Sequence, residues 1–288
     1  MLPSVQMSHV SDPEDSRLDD FRNLNHSDNR PDLPDGKGLI IAEGPLVVER
    51  LLFSRFPVRA LIGFPSKLDS FLEHAHIREY LSQHNIAVHS LERHTLAQVA
   101  GFDMHRGLLA SAQRVPELAP EKIISQARTV VVLEGVGDHE NIGAIFRNAA
   151  GMDIDAVFFG NGCADPLYRR VVRVSMGHVL RTPFSSFPGK RFGWQTHLAQ
   201  LRDAGFHLVA LTPDHQAVHI ADAIVDAQGK PYDKVAFIVG AEGPGLTGKT
   251  MRAADVKACI PMAGGTDSLN VATAAAIAFY ERQRSLRT

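Results

Sequence analysis

Short apolar runs alternate with amphipathic segments along most of the chain. Leu39–Ala42 reads as a strand, and Pro45 suits the first turn of a helix reaching about Phe53. Val58–Phe64 then reads as a strand, Leu68–Gln83 as one helix and Ile86–Leu91 as a strand. A short helix near Thr95–Val99 and a strand Gly107–Ala112 close this series. The alternation predicts a small α/β domain over 37–115, and Pro116 and Pro120 bracket a linker over 116–128.

A second series opens at Thr129–Leu133. Strands are expected at Ala156–Gly160, Phe206–Leu211, Val235–Val239 and Val256–Ile260. Helices are expected at Ile142–Ala150, Tyr168–Met176, Trp194–Ala204, Thr247–Ala254 and Leu269–Arg284. The strands are apolar without strict alternation, as in a parallel sheet covered on both faces. This predicts a second α/β domain over 129–288.

Residues 1–36 show no such periodicity and are rich in Asp, Asn, Ser and Pro, which predicts a mobile tail with possible local docking at Asp20–Asn25. The net charge of the chain is -2, but it is unevenly spread. The tail holds eight acids and three bases, a net of -5, and the rest holds 27 bases against 24 acids, a net of +3. A mildly basic body is compatible with RNA without requiring it. With 44% hydrophobic residues the chain can build a sizeable core. There is no apolar run of about 18 residues to span a membrane, and the polar N-terminus does not read as a secretory signal. Cys163 and Cys259 are too few for a metal cluster and fit a reducing cytoplasm; the histidines lack metal-ligand spacing.

Candidate chemistry gathers in four segments. In the helix after Leu133, Ile142, Ile145, Phe146 and Ala149 form one apolar face at i, i+3, i+4 and i+7. Arg147 lies roughly 150° from the centre of that face, so it is either a solvated arginine or one aimed into a cleft at the strand ends. Asn141 stands where Asn commonly caps a helix. Gly240-Ala241-Glu242-Gly243-Pro244-Gly245 joins a strand to a helix. It matches neither a P-loop nor a dinucleotide fingerprint, so it is a tight turn or a cofactor loop, and Glu242 is a solvated charge or an anchor. Asp267 and Ser268 are both credible caps for the Ala-rich last helix, whose start could also hold an anion. Arg169, Arg170 and Arg173 share a helix side beside Tyr168, either a solvated face or a grip on phosphates with a ring to stack.

Taken together, Asn141 through Arg147, Gly240-Ala241-Glu242-Gly243, and Ile260-Pro261-Met262 with Ser268-Leu269-Asn270 resemble, in order and spacing, the motifs of the SpoU/TrmH branch of the SPOUT RNA methyltransferases. The resemblance covers about 129–284, with Arg173-Val174-Ser175-Met176-Gly177 similar to the family's RNA-facing segment. More loosely, Glu43-Gly44 and Arg106-Gly107-Leu108-Leu109-Ala110 resemble its RNA substrate-binding α/β domain. One departure is His139-Glu140, where many relatives carry Pro–Gly or similar.

The resemblance implies a C-terminal parallel-sheet domain with a deep trefoil knot. It implies S-adenosyl-L-methionine held by Leu211, Thr212, Gly240, Ile260, Met262, Ser268 and Leu269, and no metal. It implies methyl transfer to a ribose 2′-hydroxyl of structured tRNA or rRNA, with Arg147, Asn141, Glu242, Ser268 and Asn270 in the catalytic site and Arg169, Arg170 and Arg173 on the RNA. It also implies a cytoplasmic homodimer with sites at the subunit interface. Two alternatives compete: a non-catalytic RNA-binding protein with a degenerate site, and a nucleotide-binding oxidoreductase, which the missing dinucleotide fingerprint disfavours.

Overall fold

A computed structural model of the protein describes residues 5–24, 38–189, 193–263 and 267–287. The chain divides into two compact units. One comprises residues 1–116 and 165–181, the other 117–164 and 182–288. The segment 165–181, which lies within the second series of the sequence, therefore packs with the first unit.

The first unit is built on a five-stranded sheet. Its strands are β1 (Met7–His9), β2 (Leu39–Glu43), β3 (Val58–Gly63), β4 (Ala87–Ser90) and β5 (Leu108–Gln113), in the order β1-β4-β3-β5-β2. β1, β4 and β3 run parallel, while β5 is antiparallel to β3 and β2. Helices α1 (Pro45–Leu52), α2 (Pro65–Leu72), α3 (Ala75–Gln83), α4 (Arg93–Ala100) and α7 (Arg169–Val174) belong to this unit. The single helix expected over Leu68–Gln83 is two, because the backbone at His74 is extended and restarts the helix.

The acidic tail departs from expectation where it is described. Residues 5–24 form β1 and a 3-10 helix at Ser16–Phe21, and bury Val10, Leu18, Phe21 and Leu24 with Leu91, Leu96 and Val99. Those apolar residues are too sparse to show a period. The acids beside them have defined partners: Asp15 caps the 3-10 helix, and Asp20 meets Arg59 at 2.8 Å and Ser111 at 2.8 Å. Residues 1–4 and 25–37 lie outside the described residues.

Among the described residues the second unit has seven strands, all parallel: β6 (Thr129–Glu134), β7 (Ala156–Phe159), β8 (Phe184–Ser186), β9 (Phe206–Leu211), β10 (Val218–His219), β11 (Lys234–Gly240) and β12 (Val256–Cys259). The order is β10-β12-β9-β11-β6-β7-β8. Helices α5 (Pro120–Gln126), α6 (His139–Gly151), α8 (Leu198–Asp203), α9 (Ile220–Ala223), α10 (Gly248–Ala253) and α11 (Val271–Ser285) flank it. The expected linker contains α5: Pro120 starts that helix, and Ile123 and Ile124 are buried in the core with Val130, Phe158 and Trp194. A proline at a helix start and one in a linker look alike in sequence. Arg282 is buried at the far end of α11, donating to Thr129 Oγ1 at 3.3 Å and to the Asp233 carbonyl at 3.0 Å. Among the described residues, no helix is long and apolar enough to cross a membrane.

Candidate functional site

In a parallel sheet every strand ends on the same edge, and ligands of open α/β sheets bind outside that edge. β12, β9, β11 and β6 are consecutive neighbours in the second unit. The segments that leave them carry the motifs found in the sequence, so chain positions more than a hundred residues apart become adjacent.

A cavity of about 350 Å³ opens there. Leu211, Thr212, Gly240, Ile260, Met262, Ser268 and Leu269 all line it. Val239, Leu246, Met251 and Val271 add apolar wall, and Glu242 adds a carboxylate. Sequence reasoning did not single out Pro213, Val239, Met251 or Ala274, which also line it; Pro213 and Val239 adjoin expected lining residues, and Met251 and Ala274 carry no signal of their own. The volume falls at the lower end of small-molecule sites, and polar and apolar surface share the wall about equally.

Local backbone explains why the loop after β11 is rich in glycine. A side chain at Gly240 would put its Cβ 2.4 Å from the Gly245 carbonyl carbon and the Leu246 nitrogen, so the loop closes tightly on that residue. The Gly245 N–H donates to the Ala241 carbonyl at 3.0 Å and completes the closure. Gly243 and Gly245 have φ of 85° and 66°, the left-handed region that glycine enters without a steric penalty.

At this edge three polar side chains bind one another. Asn141 Nδ2 donates to Glu242 Oε1 at 3.0 Å. Asn270 Nδ2 donates to the same oxygen at 2.8 Å and to Asn141 Oδ1 at 2.7 Å. Asn141 is buried, whereas Glu242 and Asn270 face solvent. One residue from each motif thus meets in a closed triangle.

The helix caps differ from expectation. Asp138, not Asn141, caps α6 by accepting from the Glu140 N–H at 2.7 Å. His139 therefore stands at the first helical position, where proline is also favoured. Asn270, not Asp267 or Ser268, caps α11, its Oδ1 accepting from the Ala272 and Thr273 N–H groups at 3.0 and 3.2 Å. Asn270 caps with its oxygen and bridges with its nitrogen, which neither Asp nor Ser could do.

Arg147 is not part of the triangle. It is exposed on α6, six residues and about 9 Å along the helix from Asn141. No hydrogen bond or ion pair ties it down among the described residues. Its neighbour Asn148 joins α6 to α11 by donating to the Ala272 carbonyl at 3.2 Å.

Arg169, Arg170 and Arg173 lie on α7 in the first unit and do not form one uniform face. Arg170 and Arg173 are exposed. Arg169 is half-buried, 3.7 Å from the Glu43 carboxylate and with its guanidinium 5.1 Å above the Phe102 ring. Arg106 reaches the same turn, its side chain packed over Gly44 and donating to the Glu43 carbonyl at 3.4 Å. Among the described residues, no three His, Cys, Asp or Glu side chains are grouped to hold a metal ion.

Comparison with known proteins gives a consistent picture. The sequence model of the SpoU rRNA methylase family matches residues 128–280. A Mycobacterium bovis protein named as an uncharacterized tRNA/rRNA methyltransferase is 51% identical over 98% of this chain and 93% of its own. The 23S rRNA (guanosine-2′-O-)-methyltransferase RlmB of Acinetobacter baylyi is 30% identical over 72% of this chain and 83% of its own. The crystal structure of an AdoMet-bound rRNA methyltransferase from Sinorhizobium meliloti has the same fold, with a TM-score of 0.76 at 24% identity, covering 97% of this chain and 98% of that one.

Proposed function

The chain belongs to the SpoU rRNA methylase family, and on that premise we propose that it transfers a methyl group from S-adenosyl-L-methionine to a ribose 2′-hydroxyl of tRNA or rRNA. The observation that carries the reading is the convergence of the second and third motif segments on one cavity, with Asn141 of the first motif bonded to Glu242 and Asn270 beside it. The trefoil knot implied by the resemblance belongs to the same reading.

The residues present fit such a cofactor. Leu211, Ile260, Met262 and Leu269 offer apolar surface, Thr212 and Ser268 offer hydroxyls, and Gly240 keeps the backbone tight against the wall. When bound, S-adenosylmethionine supplies an electrophilic methyl group on a positively charged sulfur.

The protein's own contribution is alignment of the attacking hydroxyl and control of its proton. Glu242 Oε1 already accepts from both asparagines, which fixes the carboxylate facing the cavity. Arg147 cannot serve as an ordinary base, because a guanidinium stays protonated in proteins. Its role in this reading is to stabilise charge developing on the ribose oxygen. Arg147 stands apart from the triangle within one chain, which supports a homodimer in which it serves a site at the subunit interface. Tyr280, 58% exposed on α11, provides apolar surface for such a contact.

The exposed Arg170 and Arg173 would hold RNA phosphates, with Arg169 and Arg106 shaping the Glu43-Gly44 turn beside them. A cytoplasmic location follows from the substrate. Calorimetric titration with S-adenosylmethionine, followed by mapping of ribose methylation in RNA from cells lacking the protein, tests the reading. Cofactor binding without any lost methylation would favour the non-catalytic alternative.

A further inference from the structure

Glu134 is the last residue of β6 and pairs in register with Gly240, the residue from which the cavity loop departs. It is 5% exposed and does not line the cavity. Five donors surround its carboxylate. Oε2 accepts from the Thr247 N–H at 2.9 Å. Oε1 is within reach of Thr250 Oγ1 at 2.9 Å, Thr247 Oγ1 at 3.1 Å, Trp194 Nε1 at 3.2 Å and Gln195 Nε2 at 3.2 Å. The donors come from two separate stretches of chain: the exit of the cavity loop into α10, and a 3-10 turn at Trp194–His197.

A carboxylate buried away from solvent needs its lone pairs filled, and here every neighbour that fills them belongs to one of these two stretches. The loop at 241–246 is fixed at its neck by the Gly240 closure and the Gly245-to-Ala241 hydrogen bond. Its exit is fixed by Thr247, through both backbone and side chain, to Glu134. Thr247 also caps α10, its Oγ1 accepting from the Thr250 N–H at 3.3 Å. On the other side, the Trp194 ring occupies the space beside Gly160, where an added Cβ would lie 2.8 Å from it, so the indole N–H is aimed and held.

We infer that Glu134 is a positioning residue for the cofactor site: it acts through Thr247 to set the shape of the 241–246 wall without touching the ligand. This deepens the cofactor reading above and rests on it.

The test is calorimetric titration of the full-length protein with S-adenosylhomocysteine, the demethylated cofactor, alongside thermal melting. Glu134→Ala should weaken binding about tenfold or more, the scale of losing hydrogen bonds to a charged group. Glu134→Gln, which keeps one accepting oxygen, should fall between Ala and the unaltered protein. Thr247→Val should weaken binding too, and combining it with Glu134→Gln should cost less than the two changes summed, because they share one interaction. Arg282→Met serves as the control, since it removes buried hydrogen bonds at the far end of α11. Should Glu134→Ala not fold, the Gln and Val variants decide. Folded Glu134 variants with unaltered affinity would overturn the proposal. So would Arg282→Met weakening the cofactor equally at a matched loss of melting temperature. Failure of the unaltered protein to bind would instead remove the cofactor reading itself, and this proposal with it.

Discussion

Asn270 joins the start of α11 to the polar triangle, and its two ends can be separated by mutation. Its Oδ1 caps the helix, which typically contributes about 1 kcal/mol. Its Nδ2 satisfies the buried Asn141 Oδ1 at 2.7 Å, and leaving such an acceptor unmet costs about 1–3 kcal/mol. The bond to Glu242 is solvent-facing and adds little to stability. Asn270→Ala loses both contributions, roughly 2 kcal/mol or more, which lowers the melting temperature by about 4–8 °C for a unit of this size. Asn270→Ser keeps a capping oxygen and loses the bridge, so it should fall by only about half as much. Asn270→Asp also keeps the cap but sets a second carboxylate against Glu242 and Asn141 Oδ1. Its methyl transfer should fall below that of the Ser variant. Scanning calorimetry gives the first quantity. Labelled methyl incorporation into rRNA from cells lacking the protein gives the second. If Ser and Ala destabilise equally, the cap contributes nothing. If Asn270→Ala melts like the unaltered protein, the triangle is not held as described.

Further outcomes follow from the same geometry. Arg147→Ala should leave stability within about 0.5 kcal/mol, because an exposed side chain leaves no cavity. It should cost about 2.7–4 kcal/mol in methyl transfer, roughly a hundredfold to a thousandfold, with cofactor affinity unchanged and Lys restoring only part; near-normal turnover would remove Arg147 from the mechanism. Light scattering should give a dimer of the 31.5 kDa protomer, and a fully active monomer would exclude a shared site. Burial pushes the Cys163 thiol up to about 11. Stability should therefore hold below about pH 9 and decline from there towards pH 11, by up to about 3 kcal/mol, and denaturant melts of Cys163→Ala should lack that slope. Burial, with Arg17 nearby, lowers the pKa of His89, which is 2.7 Å from Ser8 Oγ. A depressed histidine stabilises the fold above its unfolded value near 6.5 and loses that contribution as pH falls through the folded value. Amide exchange in β1 should accelerate over that acid range, and a flat profile would separate His89 from the stability of β1.

The longer elements were legible because burial imposes a period on the sequence. Phe206–Leu211 was read with its bounds intact, three other strands of the second unit differ by one residue, and β11 is longer by one at each end. The elements missed are those in which few residues carry the packing. β8 has three residues and β10 has two, too short for any pattern to emerge. In residues 5–24, four buried apolar positions are interspersed with acids, and one of these, Asp20, finds its partners far along the chain at Arg59 and Ser111. Composition registers the acids but not their partners.

The candidate site shows the same division between what spacing reveals and what only contact reveals. The family resemblance named seven residues that line one cavity, and they meet because a parallel sheet brings the strand ends to one edge whatever the intervening lengths. It could not show that Asn270 caps α11 while bridging to Asn141, since Asp267 and Ser268 are equally credible caps in the sequence. Nor could it single out Glu134, which the sequence presents as one acid at the end of an apolar strand. Its meaning depends on Thr247 and Trp194, 113 and 60 residues away. A buried carboxylate is costly unless its acceptors are filled, so its presence beside Gly240 implies that the chain around it is held in one arrangement. The loop that walls the cavity is part of that arrangement. The preorganisation of the site thus has its origin one layer behind the residues that face the ligand.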